Sequence, residues 1–332
     1  MRVSDLKIAF IGTGGTLACY ADDPLDVLDY PDISKRLNSA ELLAEVPALS
    51  RFAEVVPLPF EAVSSSLIGP TQWLQIARLV MAHEQDFDGF VIGHGTGSLE
   101  ETAYFLHLVL KTTKPVVLVG AQRPLSALSS DVAMNLIAAV RVACDSEATN
   151  RGVMVVLNDE IHSAREVTKT STYRLQAFKS PDVGVLGHVD SDKVNWLREI
   201  NTPHTMSSDF DVATLVEPLP RVDVLYSYAG SDGAALEAFV AAGCAGIVSA
   251  GFAPGLNTLA EREKLLQAHQ QGVVVVQSSR AGSGRVARRH YLRENNLIAA
   301  GNLSPQKARI LLMLALTISI DPARIQQYFD RY

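Results

Sequence analysis

The stretch Ile8-Ala9-Phe10-Ile11-Gly12-Thr13-Gly14-Gly15-Thr16-Leu17-Ala18 opens as an apolar run and closes in a glycine turn carrying two threonines. An apolar run of this length, stopped by glycines, reads as a buried strand. The pair Gly14-Gly15 lets the backbone turn sharply and approach a bound molecule. Thr16 then lies just past the carboxyl end of the first strand, where open α/β sheets bind ligands. A hydroxyl there becomes a nucleophile once a base removes its proton. Two other uses of a glycine turn fail on the residues. A dinucleotide fingerprint needs a third glycine where Leu17 stands, and a phosphate-cradling loop needs a Gly-Lys-Ser/Thr that does not follow. What remains is a plain strand-to-loop turn or a threonine nucleophile, and the choice depends on the rest of the chain.

A second site of the same kind follows. The apolar Phe87-Asp88-Gly89-Phe90-Val91-Ile92 runs into Gly93-His94-Gly95-Thr96-Gly97-Ser98-Leu99-Glu100-Glu101. Again a threonine sits in a glycine turn after a buried strand, and a helix is expected from Leu99 to Lys111. Around these two turns, strands are expected at Glu54–Phe60, Pro115–Ala121 and Gly152–Asp159. Helices are expected at Ser34–Leu43, from Pro70 to His83, and from a Ser129-Ser130-Asp131 cap to Ala143. Strands and helices in regular alternation imply right-handed crossovers and a mainly parallel sheet. The segment Ile161–Val189, rich in Thr, Ser and Arg, interrupts the rhythm and reads as a hairpin-like extension holding Val167-Thr168-Lys169-Thr170. The proline-broken Cys19–Pro31 reads as a mobile loop.

The fold expectation is therefore α/β: a large N-terminal domain over residues 1–200, a polar linker over 201–220, and a smaller flavodoxin-like domain over 221–332. In the smaller domain strands are expected at Val222–Tyr226, Gly246–Ser249 and Val273–Gln277, with helices at Ala234–Ala242 and Leu259–Gln271. The last helix is expected to start at Ser304-Pro305 and run to about Ile320. A chain of 332 residues is long enough for two domains.

The formal net charge of −7 argues against a nucleic-acid partner. No 18-residue apolar run is present, so no membrane span is expected. Cys19, Cys144 and Cys244 are scattered, odd in number and without metal spacing, which suits a reducing compartment. The amino terminus has no signal-peptide pattern. A cytoplasmic location is expected, with a trimmed periplasmic form left open.

Several further motifs fall in a fixed order: Val119-Gly120-Ala121-Gln122-Arg123-Pro124, Arg151-Gly152-Val153 with Asn158-Asp159, Ser278-Ser279-Arg280, and Ser304-Pro305-Gln306-Lys307-Ala308-Arg309. Together with the two threonine turns and Val167-Thr168-Lys169-Thr170, they make nearly the whole chain resemble the bacterial-type asparaginase/glutaminase family. The resemblance implies cofactor-free and metal-free hydrolysis of a small side-chain amide through an acyl-enzyme, in a homotetramer built as a dimer of dimers. It makes Thr16 the nucleophile, Tyr30 its hydrogen-bonded partner, Thr96 the second catalytic threonine and Lys169 the lysine that supports it. Ser65, with Ser66, Gly97 and Ala121, is implied on the substrate side, Ser65 holding a carboxylate. The smaller domain is implied to complete a neighbouring subunit's site. His94 has no ring partner in the pattern and is expected to be structural.

The sequence also departs from this family. Gly97 stands where the family has an aspartate that receives the substrate's α-ammonium. An asparagine expected after Ser249-Ala250-Gly251 is replaced by Phe252-Ala253-Pro254-Gly255-Leu256, so that Asn257 fits only by a shift of register. A glutamate expected after Ser278-Ser279-Arg280 gives way to a basic run with Arg285, Arg288 and Arg289. A charged ammonium without a carboxylate partner is poorly held in a closed site. The expectations are thus a threonine hydrolase whose substrate lacks a free α-amino group, or a weak member that binds an amino-acid-like ligand. A carboxylate from Asp22, Asp23 or Asp29 replacing the missing one is the competing account.

Overall fold

The computed structural model describes residues 5–332, the side chain of Ile33 excepted. Two compact units form, the first running to Ala213 and the second spanning Thr214–Tyr332. In the first unit the strands in chain order are β1 (Lys7–Gly12), β2 (Cys19–Tyr20), β3 (Lys35–Arg36), β4 (Glu54–Leu58), β5 (Gly89–Gly93), β6 (Val116–Val119), β7 (Val153–Leu157), β8 (Glu160–Ser163), β9 (Thr168–Lys169), β10 (Phe178–Lys179), β11 (Gly187–Val189) and β12 (Val194–Trp196). Its helices are α1 (Tyr30–Ile33), α2 (Ser39–Ala44), α3 (Pro70–Ala82), α4 (Leu99–Val109) and α5 (Val132–Cys144).

Eight of these strands make one sheet in the order β12-β11-β8-β7-β6-β5-β1-β4. The stretch from β4 to β7 is parallel throughout, with Gly12 at the end of β1 beside Gly93 at the end of β5. Ile8, Ala9, Phe10, Ile11, Phe90, Val91 and Ile92 are fully buried. That is why β1 and β5 read as continuous apolar runs rather than alternating ones. The sheet turns antiparallel at β7–β8. Asn158 and Asp159 make that turn with φ of 51° and 62°, a left-handed pair that Asn and Asp tolerate best after Gly. The hairpin expected in Ile161–Val189 is present as β9 paired with β10, which carries Lys169 opposite Phe178.

The second unit holds β13 (Val222–Tyr226), β14 (Gly246–Gly251), β15 (Val274–Ser279) and β16 (Ile298–Ala299), all parallel in that order. Its helices are α6 (Ala234–Ala241), α7 (Leu259–Gln270), α8 (His290–Glu294), α9 (Pro305–Ala315) and α10 (Pro322–Arg331). Among the described residues no helix is long and apolar enough to cross a membrane.

Local capping decides where the expected helices differ from the observed ones. The helix expected at Ser34–Leu43 starts only at Ser39, because Asn38 and Glu41 form a reciprocal capping box and Lys35–Arg36 is paired as a strand with β2. The last expected helix stops at Ala315, and a further helix opens at Pro322 behind the Asp321 cap. Asp131 precedes α5 without capping it. Its carboxylate instead accepts from the amides of Gln122 and Arg123 and from the Asn135 side chain, pinning the loop after β6.

Candidate active site

The site is built where β1, β5 and β6 end. Gly14 and Gly15 have φ of 97° and 79°, which only glycine adopts without strain. A Cβ on Gly15 would lie 2.1 Å from the Cα of Gly95. The two glycine turns therefore touch backbone to backbone, and both must lack side chains there. The turn after β6 closes on them too, since a Cβ on Gly120 would meet the Thr96 methyl at 2.9 Å. Thr16 and Thr96, each one residue past a touching glycine, are thereby brought to the same edge of the sheet.

Each hydroxyl has one titratable partner. Thr16 Oγ1 is 3.0 Å from the Tyr30 hydroxyl. Tyr30 opens α1 rather than lying in a loop, and it is buried. Burial raises its phenol above the ordinary tyrosine range, the Thr16 contact opposing this. Lys169 Nζ donates to Thr96 Oγ1 at 2.7 Å, across 73 residues of sequence. Desolvation lowers the Lys169 pKa, and the nearby Glu100 charge partly restores it. A lysine so placed sheds its proton more readily than one in water.

Glu100 was not singled out as a site residue from sequence. It is buried, lies in the first turn of α4, and Oε1 accepts from the Lys169 amide at 3.5 Å. Its signal was the acidic residue one helical turn after Thr96. The His94 ring, expected to lack a partner, has two. Nδ1 lies 2.8 Å from the Gly95 carbonyl and Nε2 lies 2.8 Å from the Thr102 hydroxyl. The carbonyl can only accept, so Nδ1 carries the proton and Nε2 receives the Thr102 O–H. Complete burial brings its pKa down to about 4, so it ties the Thr96 turn to α4 as a neutral ring.

Ser65, expected on the substrate side, leans on the second glycine turn. A Cβ on Gly95 would lie 2.7 Å from the Ser65 Cβ, and one on Gly97 would lie 2.8 Å from the Ser65 hydroxyl. Gly97 itself is exposed. Apart from its chain neighbours, only Ser65 atoms come within 4 Å of that Gly97 Cβ position, so no carboxylate adjoins it among the described residues. Asp22, Asp23 and Asp29 instead line a cavity of about 690 Å³ with Tyr20, Leu25 and Lys35. Ser66 is exposed and pairs with Ser64 at 3.0 Å, away from these contacts. Ala121 is buried beside Gly120.

In the second unit Asn257 is engaged by Ser227, Ser249 and Glu261. Arg289 donates to the Gly255 carbonyl at 2.7 Å, and Arg280 lies over the Phe252 ring at 4.5 Å. Among the described residues no group of three or more His, Cys, Asp or Glu gathers where a metal could be held.

The geometry has counterparts among known proteins. The family profile "Asparaginase, N-terminal" matches residues 7–202, and "Glutaminase/Asparaginase C-terminal domain" matches residues 221–329. The chain belongs to the asparaginase family. A probable periplasmic L-asparaginase of Haemophilus influenzae is 40% identical over 98% of this chain and 93% of its own. L-asparaginase 2 of Bacillus subtilis is 41% identical over 98% of this chain and 86% of its own. The crystal structure of a probable cytoplasmic L-asparaginase from Campylobacter jejuni superposes with a TM-score of 0.95 at 41% identity, covering 99% of this chain and all of that one. As an asparaginase-family member the chain is an amidohydrolase with the α/β architecture of its relatives. The names of those relatives point to both the cytoplasm and the periplasm.

Proposed function

We propose that this asparaginase-family hydrolase works through Thr16 as nucleophile, with Thr96 and Lys169 as a second hydroxyl–amine pair. The observation that carries this reading is the pairing of Thr16 with Tyr30 and of Thr96 with Lys169 on two touching turns. A site that only bound its ligand would have no need of two hydroxyls, each with its own proton partner. In the first step Thr16 Oγ attacks the side-chain amide carbon, its proton passing to the Tyr30 hydroxyl as Tyr30 hands its own proton on toward the leaving nitrogen. The C–N bond breaks, the nitrogen takes a proton, and ammonia leaves an ester on Thr16. In the second step water adds to that ester, giving up its proton through Thr96 to neutral Lys169, and the free acid leaves as Thr16 regains its hydrogen. Backbone amides of the glycine turns are suited to stabilise the oxyanion of both steps.

The substrate side of the proposal rests on Gly97. The relatives are named for L-asparagine and, in Pseudomonas fluorescens, for glutaminase-asparaginase activity. Here the position that would face an α-ammonium presents a glycine and a neutral serine hydroxyl. We therefore assign a small amide lacking a free α-amino group, such as succinamic acid or an N-acylated asparagine. Completion of the site by the smaller unit of a neighbouring copy, within a homotetramer, is part of the same reading. Light scattering that found a fully active monomer would remove that part. The three free cysteines accord with a cytoplasmic location. The central test is Thr16→Ala, which should abolish ammonia release while mass spectrometry of the stalled wild-type enzyme finds the acyl adduct on Thr16. An adduct on Thr96 would reverse the two roles.

A further inference from the structure

Ser98 immediately precedes α4, at the helix's N-cap position. A serine there ordinarily accepts a hydrogen bond from the second or third amide of its helix. Ser98 makes no such bond. Its hydroxyl turns outward and donates to the carbonyl of Ser65 at 2.7 Å, 33 residues away in sequence. The same carbonyl accepts from the Ile68 amide at 3.2 Å within the short helical turn Ser65–Leu67. Ser65 is thus held from both sides. One bond closes its own loop, and the other ties that loop to the turn that carries Thr96 and Gly97.

The consequence falls on the Ser65 hydroxyl. Among the described residues it has no hydrogen-bond partner. It sits in the space that a side chain at 97 would enter, 2.8 Å from that Cβ position. Two glycines let it approach this closely, and the Ser98 bond keeps it there.

We propose that Ser98 is a positioning residue that sets substrate recognition: by clamping the Ser65 carbonyl it holds the free Ser65 hydroxyl over Gly97, where it meets the substrate's carboxylate end. The inference rests on the reading of Ser65 as a substrate-holding residue. It predicts a loss of binding rather than of chemistry, because Thr16, Tyr30, Thr96 and Lys169 make none of these contacts. It also predicts little loss of helix stability, because no cap bond is lost.

The test compares Ser98→Ala with the nearly isosteric pair Ser98→Thr and Ser98→Val, using succinamic acid as the probe substrate. Ser98→Ala and Ser98→Val should raise KM about tenfold, leave kcat within about twofold and hardly move the melting temperature. Ser98→Thr should restore KM. Hydrogen exchange at the Leu67 and Ile68 amides should quicken in the Ala and Val variants and not in Thr. Ser65→Ala is measured alongside. If Ser65→Ala raises KM and the Ala and Val variants at 98 do not, the clamp is wrong and the Ser65 reading stands. If Ser65→Ala leaves KM unchanged, the Ser65 reading fails and the clamp falls with it. A fall in kcat and melting temperature together, equal in Thr and Val, would make Ser98 merely structural and overturn the proposal.

Discussion

Replacing the α-ammonium of the substrate by hydrogen should help this protein, where it would harm an enzyme with a carboxylate at position 97. The magnitude follows from what surrounds Gly97. Among the described residues no carboxylate comes within 4 Å of its Cβ position, and the nearest group beyond its chain neighbours is the Ser65 hydroxyl. An ammonium about 4 Å from a carboxylate gains roughly 4 kcal/mol at an effective dielectric of ~20. Gly97 is exposed, so solvent reduces that gain to roughly 1 kcal/mol. At about 1.4 kcal/mol per tenfold, its absence costs an α-amino substrate about fivefold in kcat/KM. Succinamic acid should therefore exceed L-asparagine by that order in an enzyme-coupled ammonia assay. Gly97→Asp should narrow or invert the ratio. The backbone at 97 does not lie in the left-handed region, so the new side chain fits once the Ser65 hydroxyl rotates from its 2.8 Å approach; that displacement raises KM for both substrates, and their ratio reports on the new carboxylate. Wild-type protein that cleaves L-asparagine ten times better than succinamic acid would refute the reasoning, since it would require a carboxylate partner that the described residues do not place beside Gly97.

Three further outcomes are expected. Lys169→Met should lose most turnover with little change in melting temperature. In the wild type the acid limb of the kcat profile should lie below the ordinary lysine range, because desolvation favours the neutral amine, and a variant with near-full activity across pH would make Lys169 a bystander. Asn38→Ala should cost about 1 kcal/mol in urea denaturation through loss of the capping box that starts α2, and an unmoved midpoint would show that the box contributes nothing. His94 should make stability fall with pH. Its pKa drops from 6.5 to about 4 on burial, so the unfolded chain takes up the proton first, and the His94 contribution is complete above about pH 6.5 and declines toward about pH 4. His94→Gln, which keeps a side-chain donor and acceptor but does not titrate, should flatten that decline in pH-dependent unfolding; an unchanged slope would assign it to other groups.

The architecture and the catalytic candidates are legible in the order of residues alone. Apolar runs such as Ile8–Ile11 and Phe87–Ile92 are long enough to specify buried strands, and a glycine turn at the end of a parallel strand specifies where a ligand binds. Thr16, Thr96 and Lys169 were legible because each lies in a local motif. The boundaries of α2 and of the last helices were not read correctly, because capping by Asn38 and Asp321 outweighs hydrophobic periodicity there. Which groups meet is set by how the elements pack. Lys169 and Thr96 are 73 residues apart and join because the β9–β10 hairpin returns over the sheet edge. Glu100 beside Lys169, Thr102 against His94, and Ser98 on Ser65 are likewise contacts between elements. No periodicity encodes them, since they depend on side-chain direction and on two glycine turns packed within a Cβ's width of one another. The identity of residue 97 can be read from the chain, but that a neutral hydroxyl rather than a carboxylate fills the space beside it is a fact of packing alone.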